Sequence, residues 1–403
     1  MKIAYITMQF PVPSEAFAAV ELRALRRQGA DLQVLSYRPA PASAEEMLHD
    51  RALADLPVDH GSFGSTLRGL LLAVLRPAET AYLLSEIFRH CRRRPQQLIK
   101  ALLLIPRSLV LLERIACVQP DVVHLYWGHY PSLLGLLVRR QLPDIVISQF
   151  LGAYDLEEAF PLSGVMADRA DYLVTLSRAN VSAIVALGAK AEAVRISFHG
   201  VEVPQPLPAP EKTHGLMVVA ERLVPQKCTA DAVRVFARLR AAIPEVRLVV
   251  CGSGPELPRL QQQAKDLGME GAVRFAGHLP HSELLSLLEQ AEVTVTMSRS
   301  PSERLPNILK EAMLRRCLCL STRTAGIEEL IDDGDTGLIV ELGDVDAAVG
   351  RLKQVLQHPP TAAEIGWRAQ STIVRDFDVD QLMAERLRQW SAVRQAREPG
   401  KAA

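Results

Sequence analysis

Apolar residues in this chain gather in short runs, separated by longer stretches in which they recur every three or four positions. The runs at residues 3–7, 32–37, 122–126, 145–150, 172–176 and 193–197 read as strands, and the plan repeats at 215–220, 246–251, 273–276, 293–297, 317–321 and 338–341. Strands that alternate with helical patterns build parallel sheets covered on both faces, so the fold class is α/β with two Rossmann-like, doubly wound domains. Pro204-Gln205-Pro206-Leu207-Pro208-Ala209-Pro210 is the proline-dense stretch between the two halves and reads as an extended linker. The expected division is a first domain at 1–203, a linker at 204–212, a second domain at 213–375, and a closing segment at 376–403 whose helical pattern covers 380–397.

Composition adds exclusions. A chain of 403 residues exceeds what one core usually holds. Its 46 Lys and Arg balance 46 Asp and Glu, which argues against a protein that blankets nucleic acid. The balance is uneven, because residues 61–120 carry nine bases against three acids and are rich in leucine. The six cysteines show no metal or redox spacing and read as reduced thiols. The start, MKIAYITMQF, lacks the pattern of a signal peptide, and charges interrupt every long apolar run, so a cytoplasmic protein without a spanning helix is expected.

Candidate chemistry centres on residues 302–313, Ser-Glu-Arg-Leu-Pro-Asn-Ile-Leu-Lys-Glu-Ala-Met. Pro306 is predicted at the first helical position, so the free amides around residues 305–308, with Leu305, Pro306 and Asn307 as donor-binding candidates, offer a seat for an anion such as a diphosphate. Glu303 precedes that seat and Glu311 follows it. Ionised carboxylates only accept hydrogen bonds, so the pair suits a molecule with sugar hydroxyls at both ends of a diphosphate. Arg222 and Lys227, in the loop after the run at 215–220, are placed to neutralise charge on a departing diphosphate. Gly252-Ser253-Gly254 reads as a strand-to-helix corner.

With Gly326-Ile327-Glu328-Glu329-Leu330-Ile331 and Asp333-Gly334-Asp335-Thr336-Gly337-Leu338, this segment resembles the donor-binding domain of the retaining glycosyltransferases of family 4 through most of 213–345. The resemblance implies the GT-B architecture, two Rossmann-like domains facing across a cleft, with a closing helix that crosses back to the first. It implies that Arg222 and Lys227 touch the diphosphate, that Gly254 approaches phosphate and ribose, and that the backbone near Leu279 meets the base. Glu303 is then assigned to the sugar hydroxyls and Glu311 to the ribose, with Arg304 beside the diphosphate seat. Cys228 and Arg304 stand where glycines are common. Phe10-Pro11-Val12-Pro13-Ser14-Glu15-Ala16-Phe17 is similar to the start of family members that assemble bacterial exopolysaccharides, which makes Glu15 an acceptor-side candidate. His124, His129 and Asp155 join it, although Leu151 occupies a position where relatives carry histidine.

The implied reaction is transfer of a hexose, with retention, from a nucleotide sugar to an exopolysaccharide repeat on a polyprenyl diphosphate at the inner face of the membrane. A UDP-hexose donor is favoured over GDP-mannose, and no metal or other cofactor is expected. The acidic pairs Asp344/Asp346 and Asp376/Asp378 lack further ligands. Leucine-rich faces at residues 66–76 and 98–115, the second carrying a stripe of Leu98, Leu102, Ile105, Leu109 and Leu112 bent or divided at Pro106, and the bases Arg92, Arg93 and Arg94 suggest contact with an anionic membrane surface, against the plainer reading of core. Two other classes stay open: a nucleotide-sugar isomerase on the same scaffold, and an inactive partner protein, for which Leu151, Cys228 and Arg304 are the motive.

Overall fold

The computed structural model describes residues 1–397 and divides into two compact units, Met1–Gly200 with the segment from Val379 onward, and Val201–Asp378. The first unit holds seven parallel strands: β1 (Lys2–Thr7), β2 (Asp31–Ser36), β3 (Val58–Asp59), β4 (Val122–Leu125), β5 (Val146–Phe150), β6 (Tyr172–Thr175) and β7 (Val194–Ile196). They lie in the order β3-β2-β1-β4-β5-β6-β7. The order reverses direction between β1 and β4, and in such sheets ligands bind beyond the strands' carboxyl ends at that point.

One face of this sheet is covered by helix Pro95–Val118, which buries Ile105, Leu109 and Leu112 with Ile6, Leu35 and Val123. Of the two leucine-rich faces read above as membrane contacts, the stripe at 98–112 is therefore core, with Leu98 and Leu102 half-buried at its edge, whereas the one at 66–76 is exposed. Nor does Pro106 divide the helix, which runs unbroken through it. Helix Phe63–Leu75 crosses at that point with Gly69 so close to the Pro106 carbonyl that any side chain there would collide.

On the opposite face, helices Ala16–Arg27 and Val379–Arg397 cover Ile3, Tyr5, Val34 and Val122. The last helix is fastened by charge as well as by Met383 and Trp390. Arg386 Nη1 donates to Glu21 Oε2 at 2.8 Å, Nη2 donates to Ser197 Oγ at 2.9 Å, and His199 Nδ1 lies 2.7 Å from Glu21 Oε1. Burial opposes ionisation of Glu21, but Arg386 and His199 outweigh it and hold the carboxyl at about 2.

The second unit repeats the plan with β8 (Thr213–Ala220), β9 (Arg247–Cys251), β10 (Val273–Gly277), β11 (Ala291–Thr296), β12 (Leu318–Thr322) and β13 (Leu338–Val340). The order is β10-β9-β8-β11-β12-β13, all parallel, with the switch between β8 and β11. Every strand expected from the sequence is present within a residue or two, and the two-residue β3 is the addition. The unit begins at Val201, whose N–H donates to the Phe377 carbonyl at 2.9 Å, and the proline-dense stretch carries no regular element.

Candidate functional site

At the switch point of the second unit, the loop after β8 is held by the Gly-x-Gly corner after β9. Leu223 N–H donates to Ser253 O at 2.9 Å and Glu256 N–H to Leu223 O at 3.0 Å. Gly252 (φ +129°) and Gly254 (φ +157°) lie so near the carbonyls of Glu221 and Leu223 that a Cβ on either would collide. The glycines thus press one loop onto another and fix where Arg222 and Lys227 begin.

The loop after β11 is tied to the same place. Arg299 N–H donates to Gln226 O at 2.9 Å, Ser298 Oγ to the same oxygen at 3.3 Å, and Thr322 Oγ1 to Ser298 O at 2.5 Å. This stitching brings Lys227 Nζ into an ion pair with Glu303 Oε1, both side chains being mostly buried. The other oxygen, Glu303 Oε2, is buried without a hydrogen-bond partner. Glu221, which the sequence reading passed over, joins them. Thr229 Oγ1 donates to its Oε1 at 2.7 Å, and its Oε2 is also buried and unpartnered. Burial raises the Glu221 carboxyl to about 8, with Lys227 and Thr229 opposing the rise and the Glu303 charge adding to it. Two buried carboxyl oxygens without donors, beside a lysine, are costly in an isolated protein and mark a place for polar ligand groups.

Pro306 does not occupy the first helical position. Its ψ of 128° makes it the residue before the helix Asn307–Leu314, with its carbonyl accepting from Leu309 N–H at 3.2 Å. The first turn's amides therefore begin at Asn307 and Ile308, the latter half of the predicted anion seat. Leu305 is buried just ahead of it. Arg304 turns back, its Nη1 donating to the Pro301 carbonyl. Glu311 sits one turn into the helix, its Oε1 2.9 Å from His281 Nε2, just after the half-buried Leu279 in the loop that leaves β10. Arg222 is exposed. In the acidic pairs, Asp344 caps a helix by accepting from Ala347 N–H at 2.8 Å, and Asp346 and Asp376 pair with Arg238 and Arg375. Among the described residues no group of three His, Cys, Asp or Glu is placed to hold a metal ion.

In the first unit, three of the four acceptor-side candidates converge beyond β1, β4 and β5. His129 Nδ1 lies 2.6 Å from Asp155 Oδ1, and Asp155 also accepts the backbone N–H of His129 at 3.0 Å and of Gly152 at 2.8 Å. Asp155 is wholly buried, so it fixes the imidazole's orientation. Trp127 Nε1 donates to Glu15 Oε1 at 2.9 Å, while Glu15 Oε2 is buried and unpartnered. Burial lifts the Glu15 carboxyl to about 7 against the pull of Trp127, His129 and Arg51. His124 does not join them. Its ring is fully buried between Tyr5 and Trp390, 5.1 and 5.3 Å away, its Nδ1 lies 2.9 Å from Ser148 Oγ, and burial pushes it down to about 3. It is a neutral core histidine. Leu151 is buried against Gly128.

Residues 205–372 match the family described as Glycosyl transferases group 1. A putative colanic acid biosynthesis glycosyltransferase, WcaL of Salmonella typhimurium, is 22% identical over 406 residues, covering 94% of this chain and 96% of that one. N-acetyl-alpha-D-glucosaminyl L-malate synthase of Bacillus anthracis is 29% identical over 159 residues, only 40% of each chain, so this chain is matched over less than half of that relative. Among solved structures, Alr3699/HepE of Anabaena in complex with UDP superposes with a TM-score of 0.72 at 16% identity, covering 97% of this chain and 100% of that one. The fold is therefore of the GT-B class. Residues 205–372 thus carry the sequence of a group 1 glycosyl transferase domain.

Proposed function

We propose that this chain moves a hexose from a nucleoside diphosphate sugar, held by the second unit, to a lipid-linked saccharide of exopolysaccharide type, held by the first, with the anomeric configuration retained. The observation that carries the reading is the group of Lys227, Glu303 and Glu221 in the loops that lead to helix Asn307–Leu314, where cationic and carboxyl groups meet at a sheet's switch point. Lys227, Arg222 and the helix start would take the diphosphate, and the developing charge on the leaving phosphate would be balanced there without a metal ion. Glu303 Oε2 would accept a sugar hydroxyl and Glu311 a ribose hydroxyl. A uridine donor is favoured over a guanosine one, supported by the Anabaena relative's complexes with UDP and with UDP-glucose. The acceptor class is supported by the near full-length likeness to the colanic acid protein.

In the first unit, His129 held by Asp155 would orient the acceptor hydroxyl and take its proton as the bond to the sugar carbon forms, with Glu15 as a second contact. The experiment is incubation of the purified chain with UDP-glucose, UDP-galactose and GDP-mannose, with and without a polyprenyl-diphosphate saccharide, while nucleoside diphosphate release is followed. Acceptor-stimulated UDP release is expected. Interconversion of the sugar without an acceptor would favour the isomerase, and neither binding nor release would favour an inactive partner.

A further inference from the structure

Helix Phe63–Leu75 buries one side and leaves the other bare. Phe63 is 81% exposed, Val74 76% and Leu75 65%, and Leu67, Leu70 and Leu71 are each more than half exposed. Helix Pro95–Val118 adds Leu103, 73% exposed, and Ile99. Apolar side chains scattered singly on a surface need no explanation, but six on one thirteen-residue helix do. Charge around them is mainly basic, although Glu113 pairs with Arg68 and Arg76 and Glu158 with Lys100. No acid occurs between Phe63 and Ala78 or between Ile87 and Leu112, whereas Arg89, Arg92, Arg93, Arg94 and Lys100 are exposed. An exposed apolar face edged by bases is suited to lying on a membrane surface, and no helix among the described residues is long and apolar enough to cross one.

We propose that the exposed faces of Phe63–Leu75 and of the first turns of Pro95–Val118 seat the protein on an anionic bilayer surface, next to its acceptor-side cluster. The apolar side chains would enter the boundary between headgroups and acyl chains while the arginines meet lipid phosphates. A second copy of the chain fits less well, since the same bases would then face each other. The link to the cluster is short. Gln97 Nε2 donates to Glu158 O at 2.5 Å, Arg94 Nη1 to Ala159 O, and Lys100 Nζ lies 3.7 Å from Glu158 Oε1. Those contacts bind the start of the long helix to helix Ala153–Glu158, which carries Asp155 and so positions His129. An acceptor carried on a lipid would arrive from that side. This last step rests on the function proposed above, and the bilayer contact does not.

The test is cosedimentation of the full chain with phosphatidylcholine vesicles, with and without phosphatidylglycerol, at low and high salt. Binding should rise with phosphatidylglycerol, fall with salt, and drop roughly tenfold or more in a Leu71→Glu, Val74→Glu double variant whose thermal melting and UDP release from a soluble saccharide acceptor match the parent. An Arg92→Glu, Arg93→Glu, Arg94→Glu variant should lose the dependence on lipid charge. Vesicle binding that ignores both sets of changes would overturn the proposal. So would a lipid-free dimer, seen by sedimentation velocity, that the double variant dissolves, because the face would then belong to a second copy. If vesicle binding fails while soluble acceptors still stimulate UDP release, the bilayer contact falls and the enzymatic reading stands.

Discussion

Lys227 and Glu303 are ion-paired across two loops that lie 76 residues apart in the chain. The pair holds a cation and a carboxylate ready at one point, each restrained by the other. A diphosphate that draws Lys227 toward itself would free Glu303 Oε1 for a sugar hydroxyl. Lys227→Ala should therefore weaken nucleoside diphosphate binding by about tenfold or more in calorimetry, because a charge-assisted bond to phosphate is lost. Unchanged affinity would remove Lys227 from the phosphate contacts.

Glu221 gives the same site a pH dependence. Its carboxyl, raised to about 8, is neutral below that value and charged above it, beside Lys227. Ionisation places a new negative charge near the diphosphate seat, so UDP affinity should fall as pH rises from 7 to 9. In Glu221→Gln the fall should vanish. Titration calorimetry across that range checks both, and a wild-type affinity flat in pH would contradict the assignment.

The first unit should separate acceptor chemistry from donor binding. His129→Ala is expected to lower acceptor-stimulated turnover by roughly a hundredfold, the usual scale for losing a general base, while UDP affinity stays unchanged. Asp155→Asn should lower turnover less, since the amide oxygen can still accept from the ring. Turnover of His129→Ala equal to the parent would leave the dyad as structural support for the loop.

The buried pair of Glu21 and Arg386 should dominate the stability of the last helix. Arg386→Met leaves Glu21 buried without its main cation and should cost about 3–5 kcal/mol, whereas Glu21→Leu with Arg386→Met should cost less than either alone. Glu21 sits below its usual range, at about 2. Its stabilising contribution is thus present above the ordinary carboxylate range and lost as pH falls toward 2. Denaturant melts at pH 7 and pH 3 should show the Arg386→Met deficit shrinking at the lower pH.

Much of this was legible in the sequence because it rests on local rules. Apolar runs as dense as 246–251 in a helix-strand alternation leave few choices, and the strand ends follow from them. Glu303 and Glu311 were visible because a proline and a helix pattern set their spacing. The rest depended on tertiary pairing. Glu21, His199 and Arg386 are far apart in sequence, and nothing in their local setting announces a buried network. The stripe at Leu98, Ile105 and Leu112 had helical spacing, but periodicity does not say whether a face meets core or lipid. Neither did spacing distinguish His124 from His129. His124 lies within the run at 122–126 and His129 just beyond it, and only the packing of Trp390 over the first and Asp155 beside the second shows which is core.

Glu303→Gln tests the central claim most directly. It preserves size and removes the charge whose Oε2 is buried without a partner. UDP release from the preferred UDP-hexose in the presence of acceptor should fall by roughly a hundredfold or more, with UDP affinity within a few-fold of the parent, if that oxygen's hydrogen bond strengthens in the transition state. Turnover equal to the parent would contradict the account and remove Glu303 from the reacting sugar.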